Sequence, residues 1–191
     1  MAKLLHGFDG MNGPWRLPFE AALERNAPQR EVQVATVSPE GLPFARTMSL
    51  RGLSEDGVPY FFTDSRSRKA DHLRTTPRLQ VSAWFPKTAE QFRLSGRVAL
   101  HGVQAEPPWR EVRQRGWEAL PEEERRLFVG PPPGFPAVTA GNLKPPREAP
   151  AEFLLVTLDV TDVDWLALGP PQRRLSFRVM GPTWVEQGLT P

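Results

Sequence analysis

The sequence predicts a mainly β protein whose strands close into an antiparallel, barrel-like, Greek-key-like sheet with a few helices. Three observations carry this. Stretches of period-two alternation recur along most of the chain, they follow one another mostly as hairpins, and no G-x-G-x-x-G follows a strand to signal a dinucleotide-binding α/β fold. The expected count is seven or eight strands with two or three short helices.

The elements follow in order. Pro14 to Ala27 reads as a helix, with Phe19, Ala22 and Leu23 on one stripe, ending before Pro28. At Glu31 the period changes to two: EVQVATVS, a PEGLP turn and FARTMSLRGL form a hairpin, and a third strand runs from Val58 to Thr63. SRSRKADHLRTT is a short helix with Ser67 as N-cap, closed by Pro77. Leu79 to Phe85 and Gln91 to Gly102 are strands joined by PKTAE. Pro107 to Val129 reads as two polar helices, each opened by proline in the first turn. Gly130 to Pro150 has seven prolines and no periodicity, and loops of that length are usually functional or tethers. Glu152 to Leu168 is a long strand with a bulge or bend near Asp162, and RRLSFRVM and TWVEQGL close the chain as a hairpin around Gly181-Pro182. No internal repeat is visible, and the chain is expected to form one domain over residues 1–191.

Composition narrows the function. The 191 residues include 22 prolines and no cysteine, at 39% hydrophobic and a net charge of +2. A chain this long buries roughly 70% of its unfolded surface, so it needs neither disulfide nor structural metal. Without cysteine there is no thiolate zinc site, iron–sulfur cluster or cysteine nucleophile. The longest apolar runs, such as Phe153 to Leu158, are far short of a membrane span, and the opening MAKLLHGFDG lacks a signal-peptide core, so a cytoplasmic protein that does not bind membranes is expected. A surplus of two charges is too small for a nucleic-acid footprint. Twenty of the 24 cations are arginine, whose planar fork suits phosphate and carboxylate, so their placement matters more than their number.

Three segments hold candidate site residues. In FFTDSRSRKADHL, Arg68 and Lys69 occupy a helix's first turn, where cations oppose the macrodipole. An anion bound there would meet free N–H groups and both cations, whereas the alternative is that both side chains extend into water. In FARTMSLR, Ala45, Thr47, Ser49 and Arg51 share one face and Arg46, Met48 and Leu50 the other. Arg46 on an apolar face must therefore pair with a carboxylate or clamp an anion. In EQFRLSG, Gln91, Arg93 and Ser95 form a polar face, and Gln91 can read the polar edge of a heterocycle.

The order and spacing of these segments resemble the FMN-binding split β-barrel family typified by pyridoxamine 5'-phosphate oxidase. Arg46 to Arg51 resembles the family's R-x-x-x-L-K strand, Phe62-Thr63 its aromatic-Thr pair, and Ser67-Arg68-Lys69-Ala70 its S-R-K-A helix start. TDSRSRK, WFPKTAEQFR and VDWLAL are closer to a less characterised branch than to the oxidase proper. The resemblance covers most of Glu31 to Gly102 and, more loosely, Phe153 to Pro191. It implies a homodimer with FMN at the subunit interface. One chain would supply Arg46, Thr47, Met48, Ser49, Arg51, Phe62, Thr63, Ser67, Arg68 and Lys69, and the other Gln91 with residues near Trp165 and Arg174.

The substrate half departs from the oxidase pattern. The oxidase anchors its substrate phosphate with a Tyr, an Arg and a Ser on the helical segment after the Gln strand, but the only tyrosine here is Tyr60. Its catalytic R-L-H corresponds to Arg174-Leu175-Ser176, Arg51 replaces a lysine, and its flavin-stacking Trp aligns with Leu166 or Trp165. The implied function is an FMN-dependent oxidoreductase with an altered substrate site and no assigned acid or base. The alternatives are a non-enzymatic FMN carrier and a haem-binding split barrel using His101 or His72. Apart from that use, the two histidines read as packing residues, Trp84, Trp109, Trp117 and Trp184 as core or interface, and Arg110, Arg113, Arg115, Arg125 and Arg126 as a salt-bridged helical face.

Overall fold

Alternation in Glu31–Val37 turns Val32, Val34 and Thr36 inward and leaves Glu31, Gln33 and Val37 exposed, and the same rule organises most strands of the protein. The computed structural model describes residues 3–5, by backbone alone, together with 13–136 and 143–191. The strands are β1 (Lys3–Leu5), β2 (Glu31–Val37), β3 (Pro43–Ser49), β4 (Gly52–Leu53), β5 (Pro59–Asp64), β6 (Arg78–Phe85), β7 (Glu90–His101), β8 (Phe153–Ala167), β9 (Arg173–Met180) and β10 (Thr183–Leu189). The helices are α1 (Arg16–Arg25), α2 (Arg68–Thr75), α3 (Trp109–Ala119) and α4 (Glu122–Val129).

All strand pairs are antiparallel, in the order β1-β10-β9-β8-β7-β6-β2-β3. The mostly β, split-barrel expectation therefore holds. Strand β8 is the hub: Phe153 to Thr157 pair with β5, Asp162 to Ala167 pair with β9, and β7 runs along the other edge. The non-sequential pairings β2–β6 and β5–β8 turn a meander into a split barrel.

Among the described residues, ten strands and four helices exceed the expected seven or eight and two or three. FARTMSLRGL is not one strand, because the chain changes partner at its middle: Leu50 N–H donates to Arg30 O, and Arg51 N–H to Tyr60 O. β3 therefore belongs to β2 and β4 to β5. The other added strand, β1, pairs with β10. The expected bulge lies at Thr161: Ser95 pairs with Asp162 but Gly96 with Val160.

The core lies between the sheet's inner face and α1. Phe19 is fully buried and meets Trp15, Phe85 and Phe92 edge to face at 5.2–5.8 Å. Each such ring contributes roughly 1.5–3 kcal/mol by burial. A second cluster gathers Trp117, Leu120, Ala149 and Phe153 under α3 and α4.

Two expectations need correction here. Ser67 occupies the N-cap position of α2 but makes no side-chain cap, because its hydroxyl turns to Thr63 Oγ1 at 3.4 Å. Arg113 is not on a salt-bridged face. It is 7% exposed and donates Nε to Phe153 O at 2.7 Å and Nη2 to Ala149 O and Pro150 O, so a buried cation is satisfied by carbonyl oxygens. Arg125 lies over the Trp117 ring, while Arg110 and Arg126 do pair with Glu106 and Glu122. Of the Pro-rich loop, residues 137–142 lie outside those described. Its distal end is pinned to α3, where Trp117 Nε1 donates to Pro146 O and Gln114 Nε2 to Arg147 O.

Candidate functional site

β3 ends the strand order, so among the described residues one of its edges has no strand partner. Beside it lie the C-terminal end of β5 and the start of α2, because the β5–β8 pairing and the short SRS turn bring Thr63 and Lys69 back toward β3. Together they enclose a cavity of about 280 Å³. Of the sequence-predicted residues, Thr47, Met48, Ser49, Arg51, Phe62, Thr63 and Lys69 line it. The sequence reading left out Asp64, Leu127, Phe128 and Pro133, which line it too. Leu127 and Phe128 come from the second of the predicted polar helices and Pro133 from the Pro-rich run, both remote in sequence from the rest of the lining and neither marked locally as part of a cavity.

One end of the cavity is electropositive. Lys69 Nζ donates to Thr63 Oγ1 at 3.1 Å, and among the described residues neither Lys69 nor Arg46 has a salt bridge to a carboxylate. Burial pushes the Lys69 ammonium below the usual lysine range, the Arg46 charge adds to the effect, and Asp64 opposes it. Arg46 donates Nη1 to Val34 O at 3.0 Å, and burial lowers its pKa also. The N–H groups of Arg68 and Lys69, in the first turn of α2, make no hydrogen bond among the described residues. Two cations without a salt bridge among the described residues, the two helix-start N–H groups and the Thr63 and Ser67 hydroxyls fit an anion of charge near −2. Of the sequence-predicted residues, Arg46, Ser67 and Arg68 are outside the cavity lining, and Arg68 lies over the Phe44 ring at 5.6 Å.

Arg51 and Phe62 form a wall shared with a larger cavity of about 840 Å³. Arg51 lies over the Phe62 ring at 5.7 Å, and Tyr60, Trp109, Val112 and Arg115 form part of the larger lining. Gly116 of α3 makes this arrangement possible, since a Cβ there would lie 2.0 Å from Phe62 Cζ.

Gln91, Trp165 and Arg174 are not brought into either cavity. Register places Gln91, Leu166 and Arg174 side by side on one face of the sheet, with Trp84 opposite Gln91 and 43% exposed. Arg174 is held by Asp164 through Nε at 3.1 Å and Nη2 at 2.8 Å, and Arg93 shares the same carboxylate at 2.6 Å. Burial raises the Asp164 pKa, but these two arginines overcome it and leave the group below its ordinary value. Trp165 points to the opposite face, stacked on Phe92 at 5.6 Å with Nε1 donating to Glu90 Oε1.

The histidines serve packing. His72 Nδ1 meets Thr36 Oγ1 at 3.0 Å in the core, and His101 Nε2 meets Thr157 Oγ1 at 2.9 Å beside Trp109. Burial lowers the His101 pKa from 6.5. The unfolded chain therefore binds this proton more readily, and the resulting stability is present above pH 6.5 and lost as pH falls through it. Denaturant midpoints taken between about pH 7.5 and about pH 5.5 should fall less steeply for His101→Gln than for the unaltered protein. Equal slopes would remove His101 from the pH response.

Residues 12–102 match the family described as "Pyridoxamine 5'-phosphate oxidase, FMN-binding domain". The chain is 31% identical over 172 residues to "Pyridoxine/pyridoxamine 5'-phosphate oxidase 2" of Arabidopsis thaliana, covering 84% of this chain and 86% of that protein. It is similar to the crystal structure of a pyridoxamine 5'-phosphate oxidase-related, FMN-binding protein from Nostoc punctiforme, with a TM-score of 0.86 and 34% identity over 94% of this chain and 99% of the other. PhzG from Burkholderia lata shares the fold, with a TM-score of 0.75 at 19% identity over 93% and 90% of the two chains.

Proposed function

The chain belongs to the pyridoxamine 5'-phosphate oxidase family of FMN-binding domains, and from that premise we propose that it binds FMN and acts as an FMN-dependent oxidoreductase on a small organic substrate. The observation that carries this reading is the electropositive end of the smaller cavity: among the described residues, Lys69 in its lining and Arg46, outside the lining but close enough to act on the Lys69 charge, have no salt bridge to a carboxylate, and two helix-start N–H groups make no hydrogen bond.

In this reading Lys69, Thr63, Ser67 and the N–H groups of Arg68 and Lys69 hold the phosphate of FMN. Arg46 contributes charge from beside Val34 O. The edge of β3 at Thr47 to Ser49, which has no strand partner among the described residues, would hold the polar rim of the ring system, and Phe62 would supply an apolar contact. FMN, when bound, accepts two electrons from a substrate and passes them to an acceptor. The substrate occupies the larger cavity, with Arg51 and Phe62 bordering both compartments. The tyrosine among the substrate anchors of the oxidase proper has no counterpart in α3, although Arg115 of that helix lines the larger cavity, and an altered substrate site belongs to the proposal.

A homodimer belongs to the same proposal. The second copy brings Gln91, Leu166 and Arg174 to the flavin from the sheet face on which Trp84 is exposed, a placement that suits an interface aromatic. Trp165 keeps its Phe92 contact and supports that face from behind. No helix of the described residues is long and apolar enough to cross a membrane, and a cytoplasmic location completes the reading.

Titration of the purified protein with FMN, followed by anaerobic addition of amines, NADH and NADPH, tests the proposal. Quenched flavin fluorescence and bleaching of the blue absorbance band by one of these donors is the expected outcome. No flavin uptake overturns it, uptake without reduction by any donor leaves a flavin carrier, and a Soret band points to haem.

A further inference from the structure

Asp64 and Arg66 are among the side chains of the TDSRSRK segment that the flavin reading leaves unused. Asp64 is 7% exposed and lines the smaller cavity. Arg66 clamps it with three bonds: its backbone N–H at 2.7 Å and Nε at 3.0 Å to Oδ1, and Nη2 at 2.7 Å to Oδ2. The remaining donors reach across to the end of α4, where Nη1 meets Gly130 O at 2.9 Å and Nη2 meets Phe128 O at 3.1 Å.

Those carbonyls belong to a helix terminus that lacks partners of its own, and a cation there also suits the macrodipole. The helix they end is weakly held. No residue of α4 is buried, Leu127 is 69% exposed, and its link from Glu124 to Arg51 is an exposed pair at 3.5 Å, a kind worth little. Phe128 adds edge-on contacts with Trp117 and Phe153. Yet Leu127, Phe128 and Pro133 are the side of the cavity that comes from this segment.

We propose that Arg66 is a positioning residue that, fixed by Asp64, latches the Phe128–Gly130 backbone so that this segment closes the flavin cavity and slows FMN release. The proposal rests on the FMN reading above. Arg66→Lys keeps a charge opposite Asp64 but cannot hold two carbonyls while gripping both carboxylate oxygens, and Arg66→Met removes latch and charge together.

The measurement is the rate at which free-flavin fluorescence recovers when the FMN-loaded proteins are diluted. It is accompanied by iodide quenching of bound flavin and by the thermal midpoint of each flavin-free protein. Both variants should release FMN at least about 10-fold faster, with more iodide quenching. Arg66→Lys releasing FMN at the wild-type rate would overturn the latch in favour of charge compensation alone. A lowered flavin-free midpoint with an unchanged release rate would overturn it in favour of a purely structural role. Wild-type protein that takes up no FMN overturns the flavin reading itself, an outcome distinct from either.

Discussion

Replacing Lys69 by methionine is expected to weaken FMN binding roughly 10- to 100-fold and riboflavin binding less than about 2-fold. Among the described residues the Lys69 ammonium has one hydrogen-bond partner, a neutral hydroxyl, and burial and Arg46 disfavour its charge more than Asp64 favours it. Such an arrangement is unfavourable until an anion arrives, so the energy of the charge is realised only on binding phosphate. Methionine keeps the apolar stem and removes the charge, and it relieves the repulsion from Arg46, so the flavin-free variant should be at least as stable as the parent. Arg68→Ala is the contrast. Arg68 stands beside Lys69 in the sequence but lies over Phe44 rather than in the cavity, and its loss should change FMN affinity by only a few fold. Fluorescence titrations with both ligands check this, and equal losses for FMN and riboflavin would place the phosphate elsewhere.

Gly96→Ala should lower stability by about 3 kcal/mol or more. A Cβ at this position would lie 1.9 Å from Asp159 O and 2.8 Å from Asp159 C. Those are backbone atoms of β8, the strand that joins β5, β7 and β9, so no side-chain rotation can make room. The register shift beside Gly96 lets the two strands approach this closely, and it also sets which way each residue beyond it points. Gly188→Ala is the control, since a Cβ there meets nothing within 4 Å, and it should stay within about 0.5 kcal/mol. Denaturant midpoints decide the matter, and similar losses for the two variants would sink the argument.

Much of this protein was legible without coordinates. Period-two alternation located the strands, and β9 and β10 lie where RRLSFRVM and TWVEQGL place them. The stripe Phe19, Ala22 and Leu23 is the buried face of α1. FARTMSLR and FFTDSRSRKA hold eight of the residues that line the smaller cavity, seven of them named as site residues from the sequence. These are local signals, set by side-chain period, turn chemistry and helix ends over ten residues or fewer.

The misreadings share a different cause. FARTMSLRGL looks like one strand because alternation cannot report a change of partner at Leu50. Arg113 looks like a surface cation because its neighbours are charged, although it serves the carbonyls of a segment 36 to 40 residues away. The choice between Trp165 and Leu166 as the residue beside Gln91 rests on the register of a bulged strand pair, and in a sheet a slip of one residue exchanges the faces.

The sequence by itself determined the class of fold, most of the strands and the electropositive helix start, because each is written in contiguous residues. Only the tertiary structure decided what surrounds that helix start: the α4 segment that walls the cavity, the Arg66 clamp that reaches 62 and 64 residues along the chain to it, and the wall shared with the larger cavity. Such pairings are set by strand crossovers and register, and these have no local signature.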